Sequence, residues 1–421
     1  MYKINKKTQN FNEVIMKKKI ITILMILILI APIFILTGCS SGKVSIFITN
    51  RPNKIAYEVG EEFVRDGLSV ESLNTDGTTT RVCIKDEDII GADTSTSGEK
   101  VVTVKSGDAS TVFNIYVADI IISPQDNVRE KLLTANDGDV VYFKNGEYKN
   151  DDGKLNDIIV DKSIFIVGES KDKTVFKGNF LVGAKLVNSN YEKIDNFSDV
   201  KIVNMCFKQE YKLEGNKINY SSKIEKDVNG AINGFSTENL YVTNCNFANY
   251  SYGVLMDNAN NLSVTRNSFK NLLISGIKVK ENCEKVSIFK NSFVDIGKNV
   301  LINENESQGF LSCINLGFNK KGNAGIIISQ NTFNRTAQKD GNWIYYDNQS
   351  QLIKDKDDLT KLGYVNNSAI IILHSNSENN LQVSGIIMSA NNYGVTLQNV
   401  RLGLRDNDSV NQSGIIINEN F

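Results

Sequence analysis

Runs of β-forming residues fill most of the chain and predict strands rather than helices. Short stretches rich in Val, Ile and Phe, such as residues 101–104 and 112–117, are separated by turns that contain glycine or asparagine. One long apolar segment stands apart from this pattern. Residues 20–36 are apolar except for Thr22 and Pro32. The pattern therefore predicts a mostly β protein that follows a single hydrophobic segment near its start.

The hydrophobic segment is organised like a bacterial export signal. Lysines occupy positions 17–19, the apolar residues follow, and residues 36–39 read Leu-Thr-Gly-Cys. This ending resembles the lipobox of bacterial lipoproteins, in which the cysteine thiol takes a diacylglycerol and cleavage occurs before it. The resemblance implies a signal peptide over residues 1–38, a lipidated Cys39, and a short linker over residues 39–43. The mature chain would then lie on the extracytoplasmic face of the cell membrane, at the cell surface.

Composition argues against several classes of function. Without residues 1–38 the chain has 41 basic and 47 acidic residues, a net charge of −6, and no basic stripe, so nucleic acid is not an expected partner. The five cysteines beyond Cys39 show no paired spacing, which predicts neither a disulfide framework nor a zinc site. The single histidine, His374, lacks the Gly-His-Gly context of polygalacturonases, and the motifs of pectate lyases, chondroitinase B-like lyases and pectin methylesterases are also missing.

A first unit is predicted over residues 44–118. Its short alternating runs and regular turns suggest a β-sandwich. The segment resembles the bacterial immunoglobulin-like domain of the group-3 type, and this resemblance implies a spacer between the membrane and the rest of the chain. The residues that carry it are Pro52, Lys54, Tyr57, Gly60, Glu61, Phe63, Gly67, Leu68, Ser69, Val70, Asp76, Gly77 and Gly98.

An internal repeat organises residues 119–421. Each copy has a short strand, an asparagine and then an aromatic residue; clear copies are residues 261–269, 285–293, 325–333 and 385–393, and related ones end in Phe207, Phe247 and Phe421. The aromatics are 22 to 24 residues apart in the shortest units, and the longer gaps are either two coils or one coil with an inserted loop. We predict that the aromatics plug the interior of stacked coils and that the asparagines hydrogen-bond adjacent coils.

The opening of this second unit resembles pectin-lyase-like right-handed parallel β-helices. A helix is predicted over residues 126–133 with Ser123 as its N-cap, followed by a Gly-Asp-x-Val motif from Gly138 and a Lys-Ser-Ile motif from Lys162. In that family a short helix caps the first coil. The predicted fold is therefore all-β, with a small immunoglobulin-like sandwich before a right-handed parallel β-helix.

Alignment of the repeats predicts an outward-facing ladder of charged residues. The aligned strands are residues 253–257, 276–280 and 299–303. Asp257 and Lys280 then lie on adjacent coils, with Lys278 and Glu281 beside them. Resemblance to β-helix polysaccharide lyases implies Lys280 or Lys278 as the base and Ca²⁺ near Asp257 and Glu281. A solvated ladder of ion pairs would give the same pattern.

Inserted loops supply a second candidate surface. Residues 338–347 are predicted to form a hairpin that carries Trp343, Tyr345 and Tyr346, and a short helix is predicted over residues 355–362. Aromatic faces stack on sugars, and projecting loops concentrate binding residues; packing of the loop onto the β-helix is the alternative. The sequence thus favours a lipid-anchored protein that binds a polysaccharide or a cell-wall or host glycan, with a calcium-dependent uronate lyase as the alternative function.

Replacement of Cys39 by alanine tests the anchor. We expect the variant to be released from the membrane or wrongly processed, because the lipid has no thiol to join. Fractionation of cells into membrane and soluble material measures this. Unchanged membrane retention would favour a transmembrane anchor, although the 17 residues of the apolar segment are fewer than the about 20 that a spanning helix needs.

Overall fold

The structure is a computed structural model, and the predicted fold class is confirmed in it. It describes residues 43–149, 157–188, 190–209, 218–219, 230–297, 300–301, 312–319, 322–334, 345–346, 352–353, 369–375, 383–389, 403–404 and 414–418. Within them, an immunoglobulin-like sandwich precedes a right-handed parallel β-helix. Cys39, Trp343 and the helix predicted over residues 355–362 lie outside the described residues. No helix in the described ranges is both long and apolar enough to cross a membrane.

The sandwich packs two sheets over a small apolar core. Its strands are β1 (Lys43–Asn50), β2 (Ala56–Tyr57), β3 (Ser69–Asn74), β4 (Thr79–Val82), β5 (Ile89–Ile90), β6 (Gly98–Ser106) and β7 (Ala109–Val117). One sheet has the order β1-β3-β4 and the other β2-β7-β6-β5. A 3₁₀ turn over Asp86–Asp88 precedes β5. Side chains such as Ile46, Tyr57 and Phe113 meet between the sheets because alternate residues of each strand point inward.

The β-helix follows directly, since β7 ends at Val117 and the next strand begins at Ile120. Its first fourteen strands are β8 (Ile120–Ile122), β9 (Val140–Phe143), β10 (Gly146–Tyr148), β11 (Ile158–Val160), β12 (Phe165–Gly168), β13 (Thr174–Phe176), β14 (Phe180–Val182), β15 (Ala184–Val187), β16 (Asn190–Lys193), β17 (Phe197–Val203), β18 (Cys206–Lys208), β19 (Ile218–Asn219), β20 (Gly230–Thr243) and β21 (Asn246–Ala248). The remaining strands are β22 (Tyr252–Thr265), β23 (Ser268–Lys270), β24 (Ser275–Glu284), β25 (Ser287–Phe289), β26 (Ser292–Val294), β27 (Val300–Leu301), β28 (Ser312–Phe318), β29 (Gly322–Ser329), β30 (Thr332–Asn334), β31 (Tyr345–Tyr346), β32 (Leu352–Ile353), β33 (Ala369–Ser375), β34 (Val383–Ser389), β35 (Gly403–Leu404) and β36 (Gly414–Asn418).

Each coil contributes to three faces of the β-helix. The first face contains β9, β12, β17, the second halves of β20 and β22, then β25, β29, β34 and β36. The second face is the sheet β10-β13-β18-β21-β23-β26-β30. The third face contains β11, β14, the first halves of β20 and β22, then β24, β28, β33 and β35. The first and third faces belong to one sheet because the 14-residue strands β20 and β22 run through the bend between them.

One short helix, α1 (Val128–Leu133), covers the start of the β-helix. Its apolar residues Val128 and Leu132 join the main core. The N-cap prediction was wrong: the cap is Asn127, whose side chain accepts hydrogen bonds from the backbone N–H groups of Arg129 and Glu130. Asparagine suits this position because its short side chain reaches the free N–H groups of the first turn.

The aromatic plugs predicted from the repeat are confirmed. Five phenylalanines stack along the axis with ring centroids 4.8–5.1 Å apart and ring planes within 11° of parallel; they are Phe207, Phe247, Phe269, Phe293 and Phe333. All are buried. Glycine is required opposite the plugs, because a Cβ at Gly253 would lie 2.6 Å from the Phe269 ring and one at Gly276 would lie 2.5 Å from the Phe293 ring. The spacing of the stack is the spacing of the coils.

A column of buried asparagine side chains runs beside the plugs, as the repeat predicts. Asn267 Nδ2 donates to Asn291 Oδ1 at 3.0 Å, and Asn291 Nδ2 donates to Asn331 Oδ1 at 3.0 Å. Each Oδ1 also accepts a backbone N–H of the preceding coil, and the one from Asn267 accepts the N–H of Cys245. Cys245 holds this position in its own coil, and burial raises the pKa of its thiol to about 12, so it packs as an uncharged group.

Single residues in the left-handed conformation turn the corners of the coils. Of the 15 described non-glycine residues with positive φ, nine are asparagine, which tolerates this conformation better than other residues do. Asn204, Asn244, Arg266, Lys290 and Gln330 hold one such corner in consecutive coils. A bend made by one residue keeps every coil in register with the next.

Two open questions of the repeat are settled by strand pairing. β21 pairs with β18 and β30 pairs with β26, so each 40-residue gap between aromatics is one coil with an insertion. Pairing of β34 with β29 likewise makes the 60-residue gap one coil.

The alignment of residues 299–303 with the third face was wrong. Val300 and Leu301 pair with β19 outside the β-helix, and β28 takes the expected place beside β24.

The sandwich packs directly on the first coils. Side chains of both units form a separate apolar cluster of buried residues, which contains Ile55, Ala56, Tyr116, Ala118, Val140, Tyr142, Val167 and Val203. Two ion pairs border it: Lys201 Nζ lies 2.6 Å from Glu99 Oε2, and Lys144 Nζ lies 2.6 Å from Glu58 Oε1. Contacts of this kind hold the sandwich against the first face of the β-helix.

Truncation of one plug tests the register of the coils. We expect Phe293→Ala to lower the free energy of unfolding by about 3–5 kcal/mol, because it removes a buried ring and leaves a cavity. Phe289→Ala is the matched control on the outer, half-buried side of the same coil and should cost about 1 kcal/mol or less. Denaturant titration measures both values. Equal losses for the two variants would contradict the proposed stacking.

Candidate functional site

A polar groove crosses several coils at the bend where the third face turns into the first. Its volume is about 360 Å³. The lining residues are Lys193, Asn196, Thr237, Glu238, Asn258, Ala259, Asn260, Asn282 and Glu284. The hairpin of β15 and β16, which ends at Lys193, supplies one end of the groove. β20 and β22 pair in register, whereas the pairing of β22 with β24 shifts by one residue between Asn258 and Ala259, which leaves Asn282 as an extra residue in the floor.

Amide and carboxylate side chains form hydrogen bonds from coil to coil within the groove. Asn260 Nδ2 donates to Glu238 Oε1 at 2.9 Å, and Asn282 Nδ2 donates to Asn258 Oδ1 at 2.7 Å. These bonds fix the side-chain orientations before any ligand arrives. A ligand that lies along the groove therefore meets hydrogen-bonding groups that repeat at the coil spacing.

Two oxygen atoms in this groove lack a hydrogen-bond partner among the residues that the structure describes. They are Thr237 Oγ1 and Asn260 Oδ1, and both atoms are buried. A buried polar atom without a partner is unfavourable, so such atoms mark places where water or a ligand group donates a hydrogen bond. Hydroxyl groups are suitable donors for both.

The groove continues into the next coil. A smaller pocket shares Asn282 and Glu284 with it and is also lined by Phe318, Asn319 and Asn323. Asn319 Nδ2 donates to Glu281 Oε2 at 2.7 Å, which places Glu281 beside this end of the groove. The buried Asn319 Oδ1 has no partner in the described part of the chain. The polar lining thus extends over four coils.

The charged ladder predicted from the sequence lies on the neighbouring third face. Lys280 Nζ is 2.7 Å from Asp257 Oδ1, and both side chains are nearly half exposed. Lys278 Nζ lies 5.6 Å from the centre of the Tyr252 ring. Strand pairing places Lys278 beside Leu255 and Asn315. The structure therefore brings Asp257 and Lys280 together, as the alignment predicted, while Glu281 turns toward Asn319.

The described residues show little sign of a metal centre. In the described ranges, no group of three or more His, Cys, Asp or Glu side chains lies close enough to hold a metal ion. Asp257 contacts Lys280, and Glu281 contacts Asn319. The fit of Ca²⁺ to Asp257 and Glu281 is therefore poor, because Ca²⁺ takes six to eight oxygen ligands.

The glycan contacts of Trp343, Tyr345 and Tyr346 stay a prediction. Tyr345 and Tyr346 form β31, which pairs antiparallel with β32, so a hairpin exists in this insertion. Its bounds differ from the predicted residues 338–347, because the partner strand is Leu352–Ile353.

The groove residues escaped the sequence reasoning for a physical reason. Asparagine recurs at every bend, and its structural role in the buried column explains most of its occurrences. Only the fold shows that Asn258, Asn260 and Asn282 face a groove while Asn267 and Asn291 face the core. The sequence carries only a weak signal: Glu238 precedes Asn239, and Glu281 precedes Asn282.

Fold and groove together define a two-part all-β protein in which a β-helix carries a polar groove. Residues 50–117 match the sequence model of the bacterial Ig-like domain (group 3). A comparison with curated proteins gave no match.

One similar solved structure is the catalytic domain of a GH87 α-1,3-glucanase, determined as an aspartate-to-alanine variant in complex with tetrasaccharides. The similarity has a TM-score of 0.30 and 11% sequence identity, and it covers 91% of this chain and 84% of that chain. A similarity this weak says nothing about the activity of the present protein. The assignment of the β-helix rests on the strand pairings.

Proposed function

We propose that this chain is a lipid-anchored cell-surface protein that binds a polysaccharide or glycan along the groove of its β-helix. The observation that carries the proposal is the set of hydrogen-bonding side chains that repeats across four coils, with three buried oxygen atoms that need donors. A polysaccharide presents hydroxyl groups at regular intervals along an extended chain. Solenoid proteins use extended surfaces of this kind for binding.

The charges in the groove favour a neutral segment of glycan. Glu238 and Glu284 line it, Glu281 borders it, and Lys193 is the one cation among the lining residues that the structure describes. Carboxylates repel a uronate and accept hydrogen bonds from neutral sugar hydroxyls. This arrangement supports binding of neutral sugars more than β-elimination of a uronate polymer.

The ion pair on the third face also argues against the lyase alternative. Lys280 holds the carboxylate of Asp257 at 2.7 Å, and a general base must instead be deprotonated and reach the proton it removes. We expect no unsaturated uronate product, with or without Ca²⁺. Calcium-dependent product that disappears in Lys280→Ala would show that the protein is a lyase.

A loss of affinity in a groove variant tests the binding function. Asn260→Ala removes an unpartnered Oδ1 and the amide that holds Glu238, and we expect about a tenfold weaker Kd for the polysaccharide that the wild type binds. A panel of neutral and uronate polysaccharides in affinity electrophoresis identifies that ligand, and calorimetry measures the Kd.

Trp343→Ala should also weaken binding and leave the thermal midpoint nearly unchanged, if the predicted aromatic contacts form.

Asn246→Ala is the matched control, since Asn246 lies on the second face and donates to Lys171 O. It should bind like the wild type. An unchanged Kd in Asn260→Ala would show that the groove is not the binding site. Absence of binding to every polysaccharide in the panel would overturn the proposed function.

A further inference from the structure

A hairpin interrupts the bend that carries the polar groove. In the coil before the groove floor, residues 183–196 connect the third face to the first and contain the β15–β16 hairpin. Neighbouring connections at this bend are much shorter, since residues 161–164 join β11 to β12 and residues 319–321 join β28 to β29. Strands β20 and β22 pass through the bend without a break. Among the coils from β11 to β29, as far as the structure describes them, one therefore carries a projection at the bend.

The base of this hairpin lies against the floor of the groove. Lys193 pairs with Ala184 at the base and is itself a lining residue. Gly183, directly before β15, has a φ of 75°, and a Cβ there would lie 3.1 Å from Thr237 Oγ1. Thr237 is 3% exposed, and its Oγ1 has no hydrogen-bond partner in the described part of the chain. The unsatisfied hydroxyl group of the groove therefore lies next to the hairpin.

Hydrogen bonds hold the hairpin on the β-helix. The OH group of Tyr191 in β16 donates to Asp157 Oδ2 at 3.2 Å, and Asn179 Nδ2 donates to Asp157 Oδ1 at 2.8 Å. At the base, Ile194 N donates to Gly183 O at 2.9 Å. Because the base and one strand are both tied to residues of the β-helix, the hairpin forms a fixed wall at this end of the groove.

The opposite end of the groove has no such wall among the described residues. There the lining passes into the smaller pocket through Asn282 and Glu284, which belong to both. The connection beyond them, residues 319–321, is short. A glycan chain in the groove can therefore continue toward the later coils, whereas the hairpin stops it at the other end.

We propose that the β15–β16 hairpin makes the groove a site for the end of a neutral glycan chain rather than for its interior. This inference rests on the proposed function, because it concerns the same groove. A terminal sugar differs from an interior one, since the ring position that would carry the next linkage has a free hydroxyl group instead. At the closed end, Thr237 Oγ1 supplies an acceptor and Lys193 supplies a donor for the hydroxyl groups of that sugar.

The number of protein molecules bound per glycan chain tests this inference. Linear neutral glucans, galactans and mannans are separated into fractions of increasing chain length, and calorimetry with the full-length protein measures the number bound and the Kd. For a glycan that binds, we expect one protein molecule per chain at every length, because each chain has one end of the required kind. A number that increases with chain length in the wild type would overturn the inference and leave the groove as a binding site. Absence of binding to all of these glycans would overturn the proposed function itself.

A shortened hairpin tests the role of the wall. Replacement of residues 185–192 by an Asn-Gly turn joins the paired residues Ala184 and Lys193 directly. In this variant we expect the number bound per chain to increase with chain length, because the groove then opens toward the first coil. Lys185→Ser is the matched control, since it changes an exposed side chain of β15 and keeps the hairpin at full length. It should bind one molecule per chain, like the wild type.

Reduction of the glycan with borohydride distinguishes the two ends of the chain, because it opens the terminal ring at the reducing end. Weaker binding after reduction identifies the reducing end as the one that is bound, and unchanged binding identifies the other end. A shortened variant that folds, as thermal unfolding shows, and still binds one molecule per chain would overturn the role of the hairpin. If that variant does not fold, the length series of the wild type still decides between the end and the interior of the chain.

Discussion

Stacking of coils in register is the interaction on which the rest of this structure depends. A single coil buries almost no apolar surface. Its apolar side chains become buried only when the next coil lies about 4.8 Å away with the same residues facing inward. Two columns enforce that register. The phenylalanine stack fills the interior, and the buried asparagines Asn267, Asn291 and Asn331 tie each side chain to the backbone of the preceding coil. A slip by one residue would break both columns together.

The register of the coils also decides which functional side chains line up on the surface. A position that recurs in every coil forms a line along the molecule, and the hydrogen-bonded side chains of Asn258 and Asn282 in adjacent coils line a groove. The corner line changes its chemistry along the axis, from Asn204 and Asn244 to Arg266 and Lys290. The backbone at this corner requires only a residue that can adopt the left-handed conformation. The side chain can therefore vary from coil to coil.

Much of the fold could be predicted from the sequence because its local and repeating signals agree. The plugs, the asparagine column and the pairing of Val254 with Ile277 all follow from the repeat. The alignment failed at residues 299–303, where an insertion interrupts the coil and contains the short strand β27, which pairs with β19. The candidate sites were harder to predict. They depend on which asparagines face outward, and the sequence carries only a weak signal of this property.

Hydrogen exchange at three backbone amides tests the register account most directly. The N–H groups of Cys245, Asn267 and Asn291 donate to the buried side chains of Asn267, Asn291 and Asn331 at 2.8–2.9 Å. If the column holds the coils together, these amides exchange together and among the slowest of the chain, with a free energy close to that of unfolding of the β-helix. Independent exchange of the three, at rates like those of exposed loop amides, would contradict the account.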